Sequence, residues 1–234
     1  MNVEFCGLPG CGKSYIIESL LKNTTINDYS LLKLYSENTR SSLLVRKLNG
    51  IKRRIRILSP LINEEKTSLD EYLQIYPVNE RTKVFYRILL EELLDIKTFY
   101  QKYDFIFCNE GIVQSLSSMG HGYVFTQDID NVIQSFDEHY YYNVQTIIFK
   151  CYTDRETNIK RIRSRKRSDD RFISSDIEKI NAALDVKEKN INYILQKLGN
   201  VNVIDLDSTD CDNAIEKIIR TLGEHGYELH ARNI

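Results

Sequence analysis

One short segment near the start of the sequence organises the rest: Gly7-Leu8-Pro9-Gly10-Cys11-Gly12-Lys13-Ser14. It fits the pattern G-x-x-x-x-G-K-[ST], in which glycines let the backbone curl around a phosphate with its N–H groups turned inward. The lysine of this pattern reaches the β- and γ-phosphates of a nucleotide, and its hydroxyl residue holds Mg²⁺. The segment therefore predicts a site for ATP, with Mg²⁺ on Ser14 and with the nucleotide held by Gly7, Pro9, Gly10, Cys11, Gly12, Lys13 and Ser14.

The sequence on either side of this loop supplies the strand and the helix that the pattern requires. Residues 2–6 form a short, mostly apolar run without proline or glycine, which predicts a strand. Residues 15–22 repeat apolar side chains at helical spacing. A helix that begins directly after the loop adds the positive end of its dipole to the phosphate site.

Farther along the chain, apolar runs alternate with helical patterns, which is typical of an α/β fold with a parallel sheet. Further strands are predicted at 29–35, 104–108, 143–151 and 200–206. Helices are predicted at 63–76, 79–103, 112–119, 128–136, 155–167, 174–198 and 211–222, with Gly223 ending the last one. The sequence therefore predicts a three-layer sandwich, in which a five-stranded parallel sheet has helices on both faces.

Composition narrows the function classes. The 234 residues are 42% hydrophobic and 28% charged, which is enough for one sizeable core, and a net charge of -1 gives no overall attraction to nucleic acid. No apolar run is long enough to span a membrane, and the first strand leaves no room for a signal peptide. The five cysteines include no C-x-x-C pair, and we expect Cys6, Cys108 and Cys151 to be small core residues. These features favour a reducing cytoplasm.

A basic segment, residues 40–58, permits two interpretations. Its leucines and isoleucines recur at helical spacing, and seven lysines and arginines lie among them. One interpretation is a solvated helix face above an ordinary core stripe. The other is a positive surface that attracts an anionic substrate or makes a weak peripheral contact with an anionic membrane leaflet. The sequence leaves both open, as it does the oligomeric state.

Three segments together resemble the nucleoside-monophosphate-kinase-like family of P-loop phosphotransferases: the loop at 7–14, the strand end Asn109-Glu110-Gly111, and residues 152–171. The last of these is similar to the lid of thymidylate kinases, with an acidic residue after a strand, an R-x-x-x-R pair on a helix, and then Asp-Arg. The resemblance implies one kinase-like domain over residues 1–234, with a lid at 155–175. The helical pattern predicts an acceptor-side insertion at 36–102, which is less like the family than the rest.

The resemblance also assigns roles to lid arginines. It implies that Arg161 lies near the adenine ring and Arg165 near the phosphates, and it makes Arg171 a further candidate. Arg161 and Arg165 are four residues apart and so share one face of a helix. Planar guanidinium groups suit the charge that spreads over the phosphoryl oxygens during transfer. A merely solvated basic helix is the alternative.

The chain departs from thymidylate kinases at one informative position. Those enzymes carry Asp-Arg-Tyr where this chain carries Asn109-Glu110-Gly111, and a glutamate would repel an acceptor phosphate. A carboxylate instead suits accepting a proton from a hydroxyl or holding Mg²⁺ through water. We therefore expect Lys13, Glu110 and Arg165 to be catalytic. The favoured acceptor is a hydroxyl of a sugar, a nucleoside or a related metabolite.

Several alternatives remain at this stage. A nucleoside monophosphate is the second choice of acceptor, and Glu110 could instead cap the following helix. A P-loop NTPase acting on a partner and a nucleic-acid 5′-hydroxyl kinase are the other classes, although the net charge argues against the second. The acceptor-side candidates are Arg87, Gln114 and Arg171.

Overall fold

The computed structural model describes residues 1–25, 31–34, 59–75, 79–108, 111–120, 122–164, 176–227 and 230–231. The predictions for the basic segment 40–58, for Asn109 and Glu110, and for Arg165 and Arg171 fall outside these residues. The strands are β1 (Asn2–Gly7), β2 (Thr24–Thr25), β3 (Leu31–Leu34), β4 (Phe105–Cys108), β5 (Thr146–Tyr152), β6 (Asn202–Asp207) and β7 (His230–Ala231). The helices are α1 (Lys13–Asn23), α2 (Asn63–Ile75), α3 (Glu80–Phe99), α4 (Gly111–Met119), α5 (Asp130–Phe136), α6 (Arg155–Ser164), α7 (Ile177–Lys197) and α8 (Cys211–Glu224).

The main sheet has the strand order β3-β4-β1-β5-β6, and all its strand pairs are parallel. The strand that leads into the phosphate-binding loop is therefore central, with β4 on one side and β5 on the other. A second, antiparallel pair joins β2 to β7, which the sequence patterns did not predict. The α/β class with a parallel sheet is confirmed.

Helices cover both faces of this sheet because strand side chains alternate between them. Val3 and Phe5 of β1 pack with Phe149 of β5 and with apolar side chains of α1 and α8. Cys6 of β1 and Ile148 of β5 pack on the other face, against α3, α4, α5 and α7. Cys6, Cys108 and Cys151 are all buried, as predicted.

Several helix ends differ from the prediction; the helix predicted at 79–103, for example, stops at Phe99. Gly223 does not end the last helix, which continues to Glu224, and the left-handed turn comes at Gly226 instead. The helix predicted at 128–136 is a 3₁₀ turn, then α5, then a π-helical turn over Asp137–Tyr141. Among the described residues, no helix is long and apolar enough to cross a membrane.

Candidate active site

The phosphate-binding loop lies between the end of β1 at Gly7 and the start of α1 at Lys13. Its glycines are structurally required, since Gly10 has a φ of +85° and a Cβ there would lie 2.7 Å from the carbonyl oxygen of Asn158. A Cβ on Gly7 would lie 2.3 Å from the carbonyl oxygen of Cys151. The loop is thus held tightly against β5 and α6, and only glycine fits at these two positions.

Lys13 lies over this loop. Its Nζ donates to the carbonyl oxygens of Gly7 at 2.9 Å and Leu8 at 3.3 Å, and it lies 3.5 Å from the Sγ of Cys11. The ammonium group therefore lies at the loop, where the pattern predicts a nucleotide phosphate. A hydrogen bond with Cys151 and the nearby ammonium lower the pKa of the buried Cys11 thiol below its ordinary value.

Ser14 is exposed in the first turn of α1. A hydroxyl oxygen is a hard ligand of the kind that Mg²⁺ prefers, and Mg²⁺ usually keeps several waters beside one or two protein ligands. Among the described residues, no group of three or more histidine, cysteine or acidic side chains could hold a metal. The exposed hydroxyl of Ser14 fits a hydrated Mg²⁺ that would also bind nucleotide phosphates.

Arg161 reaches the loop from α6. Its Nη1 donates to the carbonyl oxygens of Gly10 at 3.4 Å and Cys11 at 3.3 Å. A Cβ built on Gly12 would lie 3.2 Å from this nitrogen and 3.6 Å from the carbonyl oxygen of Ser208. A guanidinium group therefore borders the loop on the side of β5 and β6.

Gln114 reaches the loop from the opposite side, on α4. The side chain is buried, and its Oε1 accepts a hydrogen bond from the backbone N–H of Gly7 at 3.0 Å. Because α4 directly follows β4, this contact ties the β4 side of the sheet to the first residue of the loop. Arg87, the other described acceptor-side candidate, is instead half exposed on α3 and lies 4.0 Å from Glu91 of the same helix.

Glu4 is a buried acidic residue that the sequence analysis missed. Its Oε1 accepts from the side-chain amide of Asn2 at 2.9 Å and from the hydroxyl of Tyr140 at 3.2 Å. Its Oε2 accepts from the backbone N–H of Ile112 at 2.9 Å and from the hydroxyl of Tyr141 at 3.2 Å. The carboxylate thus fixes the first turn of α4 to β1. An acidic residue inside an apolar central strand is the signal that could have revealed it.

The position next to this carboxylate also requires glycine. Gly111 begins α4 with a φ of +56°, and a Cβ there would lie 2.7 Å from the Oε2 of Glu4. The Glu4 side chain therefore lies directly against the first residue of α4.

The fold resembles that of solved structures of a deoxyadenosine kinase from M. mycoides. One, with the products dCMP and a flexible dCDP bound, aligns with a TM-score of 0.53 at 16% identity, over 96% of this chain and 100% of that chain. Another, with bound dATP, has a TM-score of 0.55 at 18% identity, over 95% and 100%. The chain shares the fold of these kinases.

No protein-family model matches the sequence, and no curated protein matches it closely enough to support a comparison. At this level of identity, similarity to solved structures establishes the fold, and the activity has to be argued from the site. The narrower resemblance to thymidylate kinases stays a prediction.

Burial of Glu4 leads to a prediction about pH and stability. Burial raises its pKa above the ordinary value near 4.5, and hydrogen bonds from Asn2, Ile112, Tyr140 and Tyr141 offset this only in part. Between the ordinary and the raised pKa, the unfolded chain has released a proton that the folded chain still binds. We therefore expect the free energy of unfolding to fall as pH rises through this window and to level off above it.

Glu4→Gln should remove this contribution. Urea unfolding from pH about 4 to about 8 would measure the variant and the wild type, with the exposed Glu138→Gln as a control. The wild type should lose stability relative to Glu4→Gln as pH rises, and Glu138→Gln should follow the wild type. A constant difference between the wild type and Glu4→Gln across this range would contradict the assignment.

Proposed function

We propose that this protein is a kinase that transfers the γ-phosphate of Mg-ATP to a hydroxyl group of a nucleoside, a sugar or a related metabolite. The observation that carries the proposal is the ammonium of Lys13 at a glycine loop between a central parallel strand and a helix. The fold shared with deoxyadenosine kinases supports the same class of reaction, and it makes nucleosides the first acceptors to test.

In the proposed mechanism, residues of this chain bind the nucleotide, orient the acceptor and take its proton. Lys13 binds the β- and γ-phosphates, and Arg161 lies against the nucleotide on the β5 side of the loop. Mg²⁺, held through Ser14, would neutralise phosphate charge when bound. The acceptor hydroxyl oxygen bonds to the γ-phosphorus, its proton passes to the carboxylate of Glu110, and the bond to the β–γ bridging oxygen breaks to release ADP.

The proposed base and the proposed lid arginines lie outside the described part of the chain. Glu110 is the proposed base because its position follows β4, the strand next to the loop strand in the sheet. In parallel sheets, ligands bind beyond the carboxyl ends of the strands. Arg165 is proposed to stabilise charge on the transferred phosphoryl group, and Arg171 is a further candidate on the same lid.

An ADP-release assay with a panel of acceptors tests the proposal. With Mg-ATP alone the enzyme should be slow, and a suitable nucleoside or sugar should raise ADP release at least about tenfold, because acceptor binding completes the site. Stimulation only by nucleoside monophosphates would favour that acceptor class. Equally fast ADP release without any acceptor would indicate a hydrolase, and salt-sensitive stimulation by single-stranded oligonucleotides would indicate a nucleic-acid kinase.

A further inference from the structure

The side-chain amide of Gln114 has a defined orientation. Its oxygen must face Gly7, because a backbone N–H can only donate and the contact of 3.0 Å is a hydrogen bond. The nitrogen of the same amide is therefore turned away from the Gly7 N–H. Within the described part of the chain, the structure records no hydrogen-bond acceptor for this Nε2.

The backbone around Gln114 is fixed. Its carbonyl oxygen accepts hydrogen bonds from Lys187 Nζ at 2.9 Å, Ser117 Oγ at 2.9 Å and Ser118 Oγ at 2.8 Å. The side chain is only 7% exposed. Because its backbone oxygen and its side-chain oxygen are both bonded, Gln114 has already lost much of its conformational freedom, so ligand binding costs less further entropy.

The phosphate-binding loop has two distinct flanks. On the β5 flank, Gly7 and Gly10 pack against backbone atoms of Cys151 and Asn158, and Arg161 contacts the loop. Gln114 contacts the loop on the β4 flank, from the helix that starts directly after Glu110. The donor Nε2 therefore belongs to a side chain on the β4 flank of the loop, where the proposed function places the acceptor.

We propose that Gln114 binds the acceptor: its Oε1 holds the first residue of the phosphate-binding loop, and its Nε2 donates a hydrogen bond to the acceptor hydroxyl oxygen. This inference rests on the proposed function. A hydroxyl oxygen has two lone pairs, and one of these can accept from the amide while the other attacks phosphorus. A single amide would then position the acceptor oxygen relative to the loop that holds the phosphates.

Two substitutions separate the two ends of the amide. Gln114→Glu keeps an oxygen for the Gly7 N–H and removes the donor, whereas Gln114→Met removes both at similar volume. Gln196→Glu is the matched control, because Gln196 is exposed near the end of α7 and its substitution adds the same charge outside the proposed site. Each protein would be assayed with Mg-ATP and a mixture of neutral nucleosides, and Mg-ADP affinity would be measured separately.

We expect both Gln114 variants to lose about tenfold or more in acceptor kcat/KM, while Mg-ADP affinity changes less and Gln196→Glu behaves as the wild type. A Gln114→Glu variant with wild-type acceptor kcat/KM would overturn the inference, because an ionised carboxylate has no hydrogen to donate to the acceptor oxygen. Equal losses in Mg-ADP affinity and in acceptor kcat/KM would also overturn it and leave Gln114 as a support for the loop. A wild type that no nucleoside stimulates would contradict the proposed function itself, and this inference with it.

Discussion

Replacing Lys13 with alanine should lower kcat/KM for Mg-ATP by about a hundredfold to a thousandfold, or about 3 to 4 kcal/mol of transition-state stabilisation. The ammonium already contacts the carbonyl oxygens of Gly7 and Leu8, so it is positioned at the loop before any nucleotide binds. A charge that is in place before the reaction stabilises the phosphoryl group without reorganising. Initial-rate kinetics with varied Mg-ATP measure the loss.

Lys22→Ala is the matched control for this experiment. Lys22 is an exposed lysine in the last turn of the same helix, so its removal changes the net charge equally without affecting the loop. We expect its kinetics to match those of the wild type. Unchanged nucleotide affinity and turnover in Lys13→Ala would show that the loop does not serve the reaction.

Replacing Glu110 with glutamine should cut kcat by about a hundredfold or more if the acceptor is a hydroxyl, as is typical when a general base is removed. The substitution keeps the shape of the side chain and removes only its charge, so Mg-ATP should still bind. In the loose transition state of phosphoryl transfer, the base mainly orients the nucleophile and takes its proton late. Measured kcat and acceptor KM separate this role from acceptor binding.

The same variant distinguishes the second choice of acceptor. If the acceptor is a nucleoside monophosphate, Glu110→Gln should retain activity or bind the acceptor more tightly, because a like-charge repulsion is relieved. The exposed Glu224→Gln at the end of α8 serves as a control for loss of one negative charge. Wild-type kcat in Glu110→Gln with a hydroxyl acceptor would remove Glu110 from the mechanism.

Local sequence patterns were sufficient for the strand–loop–helix unit and for most of the remaining elements. The order of glycines from Gly7 to Gly12 specifies a loop that few other sequences form, and apolar runs such as Phe105–Cys108 read as buried parallel strands. These features depend on residues that are close together in the chain. Helix ends were predicted less well. Gly223, for example, lies inside α8 and does not end it.

The contacts of Glu4 and Gln114 could not be predicted in the same way. Glu4 finds its partners at Ile112, Tyr140 and Tyr141, more than a hundred residues away, and the π-helical turn before Tyr142 carries both tyrosines. Gln114 was named as an acceptor-side candidate, but its bond to Gly7 appears only when β1 and α4 are packed together. A sequence pattern identifies such a residue as unusual, whereas its partner depends on the tertiary fold.

The most direct test of the proposed kinase activity follows the γ-phosphate itself. ATP that carries heavy oxygen on its γ-phosphate would be incubated with the enzyme, Mg²⁺ and the nucleoside mixture, and the products would be separated by mass. We predict that the labelled phosphoryl group appears as a phosphate ester on a nucleoside hydroxyl, and that this product is nearly absent with Lys13→Ala. Label that appears only in inorganic phosphate, at the same rate with and without nucleosides, would contradict the account.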